Sequence, residues 1–320
     1  MAAPAVLDRP AAAADLEENA AGLAPLPQTL AQDDDQAEQI IDVHCGFGAT
    51  ATAPEWDHAD ALRNALRARG VTSAFVASDL ARHFDPVLGN ARVAEATRGA
   101  HDLRPWLVLQ SDRPAEANAQ MRRYLYQSEQ FIGIALYPDP VTGRPVTLRQ
   151  AGELLNAYRR FAKPLLIAVP TAEAMLHAAD IAREMGTTRI IASGMGGDEW
   201  RESVEIASKP LNLYLDISGA LCAEKVTYAI AHLHGARKLL FASGAPHTDP
   251  AAVIGLLDDL DLSPEDRARI LSNNAQRLFN LENTDAVHGS DLRFLAAPAP
   301  PAPDEDVPHI GNLDEDEAEA

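Results

Sequence analysis

Between residues 39 and 281, short and nearly continuous apolar runs alternate with stretches whose apolar positions recur at helical spacing. The runs cover 39–44, 71–78, 104–110, 131–137, 164–169, 189–193, 212–217 and 238–243. Most are rich in Val, Ile and Leu with little polar alternation, as parallel strands covered on both faces require. Helical patterns lie between them at 60–69, 115–127, 148–161, 172–185, 199–207 and 223–234, and Gly70, Gly186 and Gly235 stand where helices should end. Strand starts recur every 23 to 33 residues. Eight such βα units predict a single (β/α)8 TIM-like barrel rather than an open doubly wound sheet. The first strand also lacks the G-x-G-x-x-G turn of a dinucleotide fold, since Gly46 and Gly48 are followed by Ala51. Pro164 opens the fifth run, where a missing N–H is tolerated.

Composition changes this picture mainly at the ends. The net charge of −20 divides into −7 for residues 1–38, −10 for residues 282–320 and only −3 for the middle. Both ends are Ala- and acid-rich, and the second is Pro-rich as well. We therefore expect a disordered tail over 1–38, the barrel over 39–281 and a second disordered tail over 282–320. An acidic chain without a basic stripe is a poor nucleic-acid binder. No run approaches the ~18 apolar residues of a membrane span, and the first residues lack a basic leader. Two cysteines, Cys45 and Cys222, make no disulfide framework. A cytoplasmic location is the expectation.

The strand ends carry further information. Residues 41–48 read I-D-V-H-C-G-F-G, and residues 132–138 read I-G-I-A-L-Y-P. Residues 163–168 read K-P-L-L-I-A, 189–197 read R-I-I-A-S-G-M-G-G, and 212–219 read N-L-Y-L-D-I-S-G. Residues 239–246 read L-L-F-A-S-G-A-P, and 262–281 hold N-A-Q-R-L-F. In this order the segments resemble the strands and closing helix of the amidohydrolase-related family of metal-dependent hydrolases. The resemblance covers roughly 39–281 and implies the same barrel.

That family binds one or two divalent metals through a His pair on the first strand, His residues ending strands five and six, and an Asp ending strand eight. Here His44 keeps the first position, while Gly46, Ala168, Gly194 and Gly244 occupy the other four. On strand four, Ala135 and Tyr137 replace the family's usual Lys and His. A catalytic zinc needs about three protein ligands around an open position. One imidazole cannot supply that, so the expectation is a protein without a metal cofactor, catalytically inactive or impaired, that works by binding or scaffolding. The alternative is an active hydrolase or decarboxylase with a single divalent ion, Zn or Mn, acting on a small carboxylated or amide substrate. Its site would be built from His44, Asp216 and His247.

Other polar residues at the strand ends are Cys45, Asp79, Gln110, Tyr137, Ser193 and Ser243. Cys45 beside His44 suggests a nucleophile pair, but strand neighbours point to opposite faces. Asp216 is read as a structural hydrogen-bonding residue. A small-molecule ligand in the barrel mouth and a homodimer are the expected partners, the latter implied by the resemblance alone.

Overall fold

The computed structural model describes residues 38–49, 54–126 and 130–281. The expected tails lie almost wholly outside these residues. The strands are β1 (Ile41–Phe47), β2 (Ser73–Ser78), β3 (Leu103–Leu109), β4 (Gly133–Leu136), β5 (Leu165–Ala168), β6 (Ile190–Ser193), β7 (Leu213–Asp216) and β8 (Leu239–Leu240). They form one parallel sheet in chain order, each paired with the next. Backbone bonds from Val43 N–H to Phe241 C=O (3.0 Å) and from Gly244 N–H to His44 C=O (3.1 Å) join β1 to the segment after β8. The sheet thereby curls into the (β/α)8 barrel that the apolar periodicity predicts.

The main outer helices are α1 (Ala59–Arg67), α2 (Asp79–His83), α3 (Pro86–Ala96), α4 (Pro114–Met121), α5 (Leu148–Tyr158), α6 (Ala172–Glu184), α7 (Trp200–Ala207), α8 (Ala223–His232) and α9 (Pro250–Asp258). Their starts are chemically marked. Asp85, Thr147, Thr171 and Asp249 each accept a backbone N–H of the first turn, and Pro86 and Pro250 supply a preset φ at the helix start. Gly70 and Gly235 take positive φ (85° and 104°), as expected of residues that end helices, whereas Gly186 does not.

The core has two layers. Leu107, Ile134, Ile167, Ala192 and Leu215 face the helices. Val43, Phe75, Trp106, Ala135, Leu166, Ile191 and Leu240 fill the barrel interior. A closing segment, α10 (Pro264–Ala268), a π turn (Arg269–Asn273) and α11 (Asn274–Phe279), seals the end opposite the mouth. Phe279 packs edge-on against Phe75 and Trp106, at ring separations of 4.5 and 5.7 Å. The π turn also bears on β8, which is two residues long rather than the six of its apolar run. The Phe241 N–H, which would extend the ladder, instead donates to Ile270 C=O (2.9 Å), and Asn274 Nδ2 donates to Leu239 C=O (2.8 Å).

Candidate functional site

The geometry of the site begins with an irregularity in β1. Asp42 pairs with Ala74 and Cys45 with Val76, so Val43 and His44 together oppose Phe75. One extra residue of this kind breaks the period-2 alternation. Val43 packs inside the barrel, the next residue His44 lines its mouth, and Cys45 falls in the outer layer. The carbonyl of Val43 accepts from Trp106 Nε1 (2.9 Å), and the His44 N–H donates to Asp42 Oδ1 (3.1 Å). Cys45 is fully buried, and that burial raises its thiol pKa well above the ordinary value, so it is a poor nucleophile.

His44 is held at both ring nitrogens. Nε2 lies 2.8 Å from Tyr137 Oη, and Nδ1 lies 2.7 Å from Ser193 Oγ. Ser193 Oγ is 3.2 Å from Ser218 Oγ, which donates to Asp216 Oδ1 at 2.5 Å. Burial lowers the His44 pKa, opposed by Asp216 and reinforced by Arg82 and His247, so the ring is neutral. For a neutral ring, one assignment of protons makes all four contacts hydrogen bonds. Tyr137 donates to Nε2, Nδ1–H donates to Ser193, Ser193 to Ser218, and Ser218 to Asp216. Burial pushes the Tyr137 phenol above its ordinary pKa, which keeps the proton this chain requires.

Asp216 anchors the chain. Its Oδ1 also accepts the backbone N–H groups of Gly194 (3.2 Å) and Ser218 (3.1 Å). Its Oδ2 is buried, has no hydrogen-bond partner and stands 3.7 Å from His44 Nδ1. A second fully buried carboxyl, Asp42, accepts from Ser243 Oγ (2.5 Å) and Ser243 N–H (3.1 Å), and burial raises its pKa to about 6.

These residues surround a cavity of about 300 Å³ at the C-terminal end of the strands, where barrel enzymes place their active sites. His44, Cys45, Asp79, Tyr137, Ser193, Ser243 and His247 all line it; Gln110 lines a neighbouring cavity, and Asp216 lies beneath the floor, fully buried. His44 and Asp216 therefore come together. His247 is exposed at the rim, and among the described residues no three His, Cys, Asp or Glu side chains form a group able to hold a metal ion. Sequence reasoning missed Arg82, whose guanidinium lies 4.6 Å over the Tyr137 ring. It sits on α2, which Ser78 caps by accepting the Ala81 N–H. That serine followed by an acid was the available signal.

The sequence profile of the amidohydrolase family matches residues 41–281. The chain belongs to the amidohydrolase family. No curated protein matches it. Among solved structures it is similar to a dihydroxybenzoic acid decarboxylase from a Polaromonas species with bound manganese: 17% identity, 78% of this chain, 99% of that chain, TM-score 0.61. It is also similar to a 5-carboxyvanillate decarboxylase from Novosphingobium aromaticivorans complexed with manganese: 14% identity, 80% and 100% covered, TM-score 0.62. A 2,6-dihydroxybenzoate decarboxylase from Rhizobium gives 15% identity, 77% and 99% covered, and TM-score 0.62. At these identities the likeness is one of fold.

Of the five positions that the family resemblance marks for metal ligands, this barrel keeps a ligand side chain only at His44, with Gly46, Ala168, Gly194 and Gly244 at the others. Both nitrogens of His44 are engaged within the protein. At Gly46 a Cβ would lie 2.8 Å from Asp79 Oδ2. Gly194 and Gly244 have φ of +98° and +68°, a region L side chains rarely adopt, so a His or Asp there would be strained. Among the described residues no helix is long and apolar enough to cross a membrane.

Proposed function

We propose that this amidohydrolase-family barrel binds a small molecule in its mouth and does not hold the divalent metal that the family resemblance implies. The observation that carries this reading is the closure of the hydrogen-bond chain from Tyr137 through His44, Ser193 and Ser218 to Asp216. A metal ligand needs a free lone pair on its coordinating nitrogen. Here the lone pair of neutral His44 accepts the Tyr137 proton, and the remaining nitrogen carries a proton of its own. The mouth keeps its volume because four of the five family positions are Gly or Ala. A cavity of that size suits a compact organic ligand.

A second reading is favoured by one specific feature. Asp216 Oδ2 is an orphaned buried acceptor facing His44, and unsatisfied groups of this kind accompany catalytic roles. Together with the decarboxylases among the similar folds, it supports a decarboxylase or hydrolase using His44, Asp216 and His247, with or without a manganese or zinc ion.

Plasma mass spectrometry of the purified protein, before and after incubation with Zn²⁺, Mn²⁺ and Fe²⁺, separates the two. We expect less than about 0.1 equivalents of any of them. A ratio near one that falls in His44→Ala would overturn the first reading and direct attention to carbon dioxide release from hydroxybenzoates.

A further inference from the structure

A second cavity of about 240 Å³ adjoins the mouth across a wall of Arg82, Tyr137 and Pro138. It opens among the segments that follow β2, β3 and β4. Arg82, Arg113 and Arg144 line it, together with Gln110 and Ser111. In the mouth, the hydroxyl protons of Ser193, Ser218 and Ser243 are donated within the protein. The donors of the second cavity are unspent. Among the described residues, none of these five side chains has a hydrogen-bond partner in the protein. Arg82 and Arg144 also have no ion pair within 4.0 Å, and Arg113 reaches only Glu116, at 3.9 Å. Acceptors at the cavity are few. Asp139 is occupied by its own turn, accepting the Val141 and Thr142 N–H groups and the Thr142 hydroxyl. Asp112 is the other carboxylate, and it is exposed. Three guanidinium groups thus face two carboxylates, an excess of positive charge inside a chain of net charge −20. The Arg82 guanidinium rests 4.6 Å over the Tyr137 ring, which holds it in place without using its N–H groups.

We propose that this cavity is a binding site for a phosphoryl group, held by Arg82, Arg113 and Arg144 with help from Gln110 and Ser111. A phosphate monoester carries about −1.5 to −2 charges and three strong acceptor oxygens. A carboxylate brings one charge and two oxygens, too few to engage five donor side chains. Guanidinium groups meet phosphate oxygens through paired N–H donors, and such charge-assisted bonds are stronger than neutral ones. Of the five side chains only Arg82 also lines the mouth. The inference therefore does not depend on what the mouth binds.

Isothermal titration of the full chain at constant ionic strength tests this with three probes: glycerol 3-phosphate, inorganic phosphate and acetate. The variants are Arg113→Gln, Arg144→Gln and, as a control of equal charge change, Arg92→Gln, an exposed arginine at a different cavity. Circular dichroism checks that each is folded. We expect saturable binding of glycerol 3-phosphate at one site, with acetate at least about tenfold weaker. Arg113→Gln and Arg144→Gln should each weaken glycerol 3-phosphate by about tenfold, and Arg92→Gln should leave it unchanged. Glycerol 3-phosphate binding tighter than inorganic phosphate assigns the site to an ester, and binding no tighter assigns it to the free ion; in both cases the phosphoryl group is what is recognised. The inference is overturned if neither phosphate binds saturably, or if acetate binds as tightly. It is equally overturned if Arg113→Gln and Arg144→Gln bind like the parent, or if Arg92→Gln weakens binding as much as they do.

Discussion

The Asp79 carboxylate takes up the space that a side chain at Gly46 would need: a Cβ there would lie 2.8 Å from Asp79 Oδ2 and 3.2 Å from Pro246 Cδ. A side chain at the position of the family's second histidine would therefore have to displace Asp79. Gly46→His, which restores the family residue, should destabilise the protein by about 1–3 kcal/mol through overpacking. Adding Asp79→Ala should recover most of the loss, since the two changes share one space. Urea denaturation of the three variants measures this. If Gly46→His alone is as stable as the parent, the occupancy argument is wrong.

Tyr137 and Ser193 grip the same imidazole from opposite sides, so their contributions should not be independent. Tyr137→Phe leaves Nε2 without its donor, and Ser193→Ala leaves Nδ1–H without its acceptor, each costing about 1 kcal/mol. Once either bond is gone the ring can turn, and the second loss should hurt less. We expect the double variant to fall short of the sum by about 0.5 kcal/mol or more. Strict additivity in chemical denaturation would show that the two bonds do not act through one ring.

Much of this site was legible in the sequence, for a simple reason. Residues that continue the inward period-2 alternation to or just past a strand end must face the mouth, and Asp79, Tyr137 and Ser193 follow inward-facing Ala77, Ala135 and Ile191 in this way. His44 is the exception, since it reaches the mouth only through the irregular register of β1, which no local pattern announces. The helix carrying Arg82 was hidden because five residues are too few for helical periodicity to show. The pairing of Asp42 with Ser243 spans 201 positions and becomes visible only once the barrel closes. His247 stayed ambiguous for the opposite reason: it belongs to a loop, where sequence fixes neighbourhood but not direction.

Gly133 explains one glycine that family likeness alone would leave as a letter. A Cβ on it would meet the Pro164 carbonyl oxygen at 2.1 Å and the Trp106 ring at 2.9 Å. The first contact is backbone, immediately before β5, so no rotamer can relieve it. Gly133→Ala should therefore cost about 3 kcal/mol or more, an unusually large penalty for one methyl group. The check is the midpoint of thermal unfolding against Gly152→Ala, a helical site where a Cβ meets nothing within 4 Å. The latter should be neutral or stabilising by up to about 1 kcal/mol. Equal shifts for the two variants would refute the packing account.

The buried Asp42 sets a pH dependence opposite in sign to that of most carboxylates. Its pKa in the folded protein is about 6, against 3.8 for the ordinary side chain, because burial outweighs the hydrogen bonds from Ser243 and His44. The folded state therefore holds the proton more tightly than the unfolded chain. The stabilisation it contributes is complete below pH 4 and is lost as pH rises through 6. The span corresponds to about 3 kcal/mol, at 1.36 kcal/mol per unit. Surface ion pairs titrate over the same range, so the comparison must be with Asp42→Asn. An amide at that position can still accept the His44 and Ser243 N–H groups through its oxygen, and its NH2 can donate to the Ser243 hydroxyl. The stability of Asp42→Asn relative to the parent should accordingly rise from pH 4 to pH 6 and then level off. A difference that stays flat, or falls, across that interval would mean that Asp42 is ionised in the folded protein throughout.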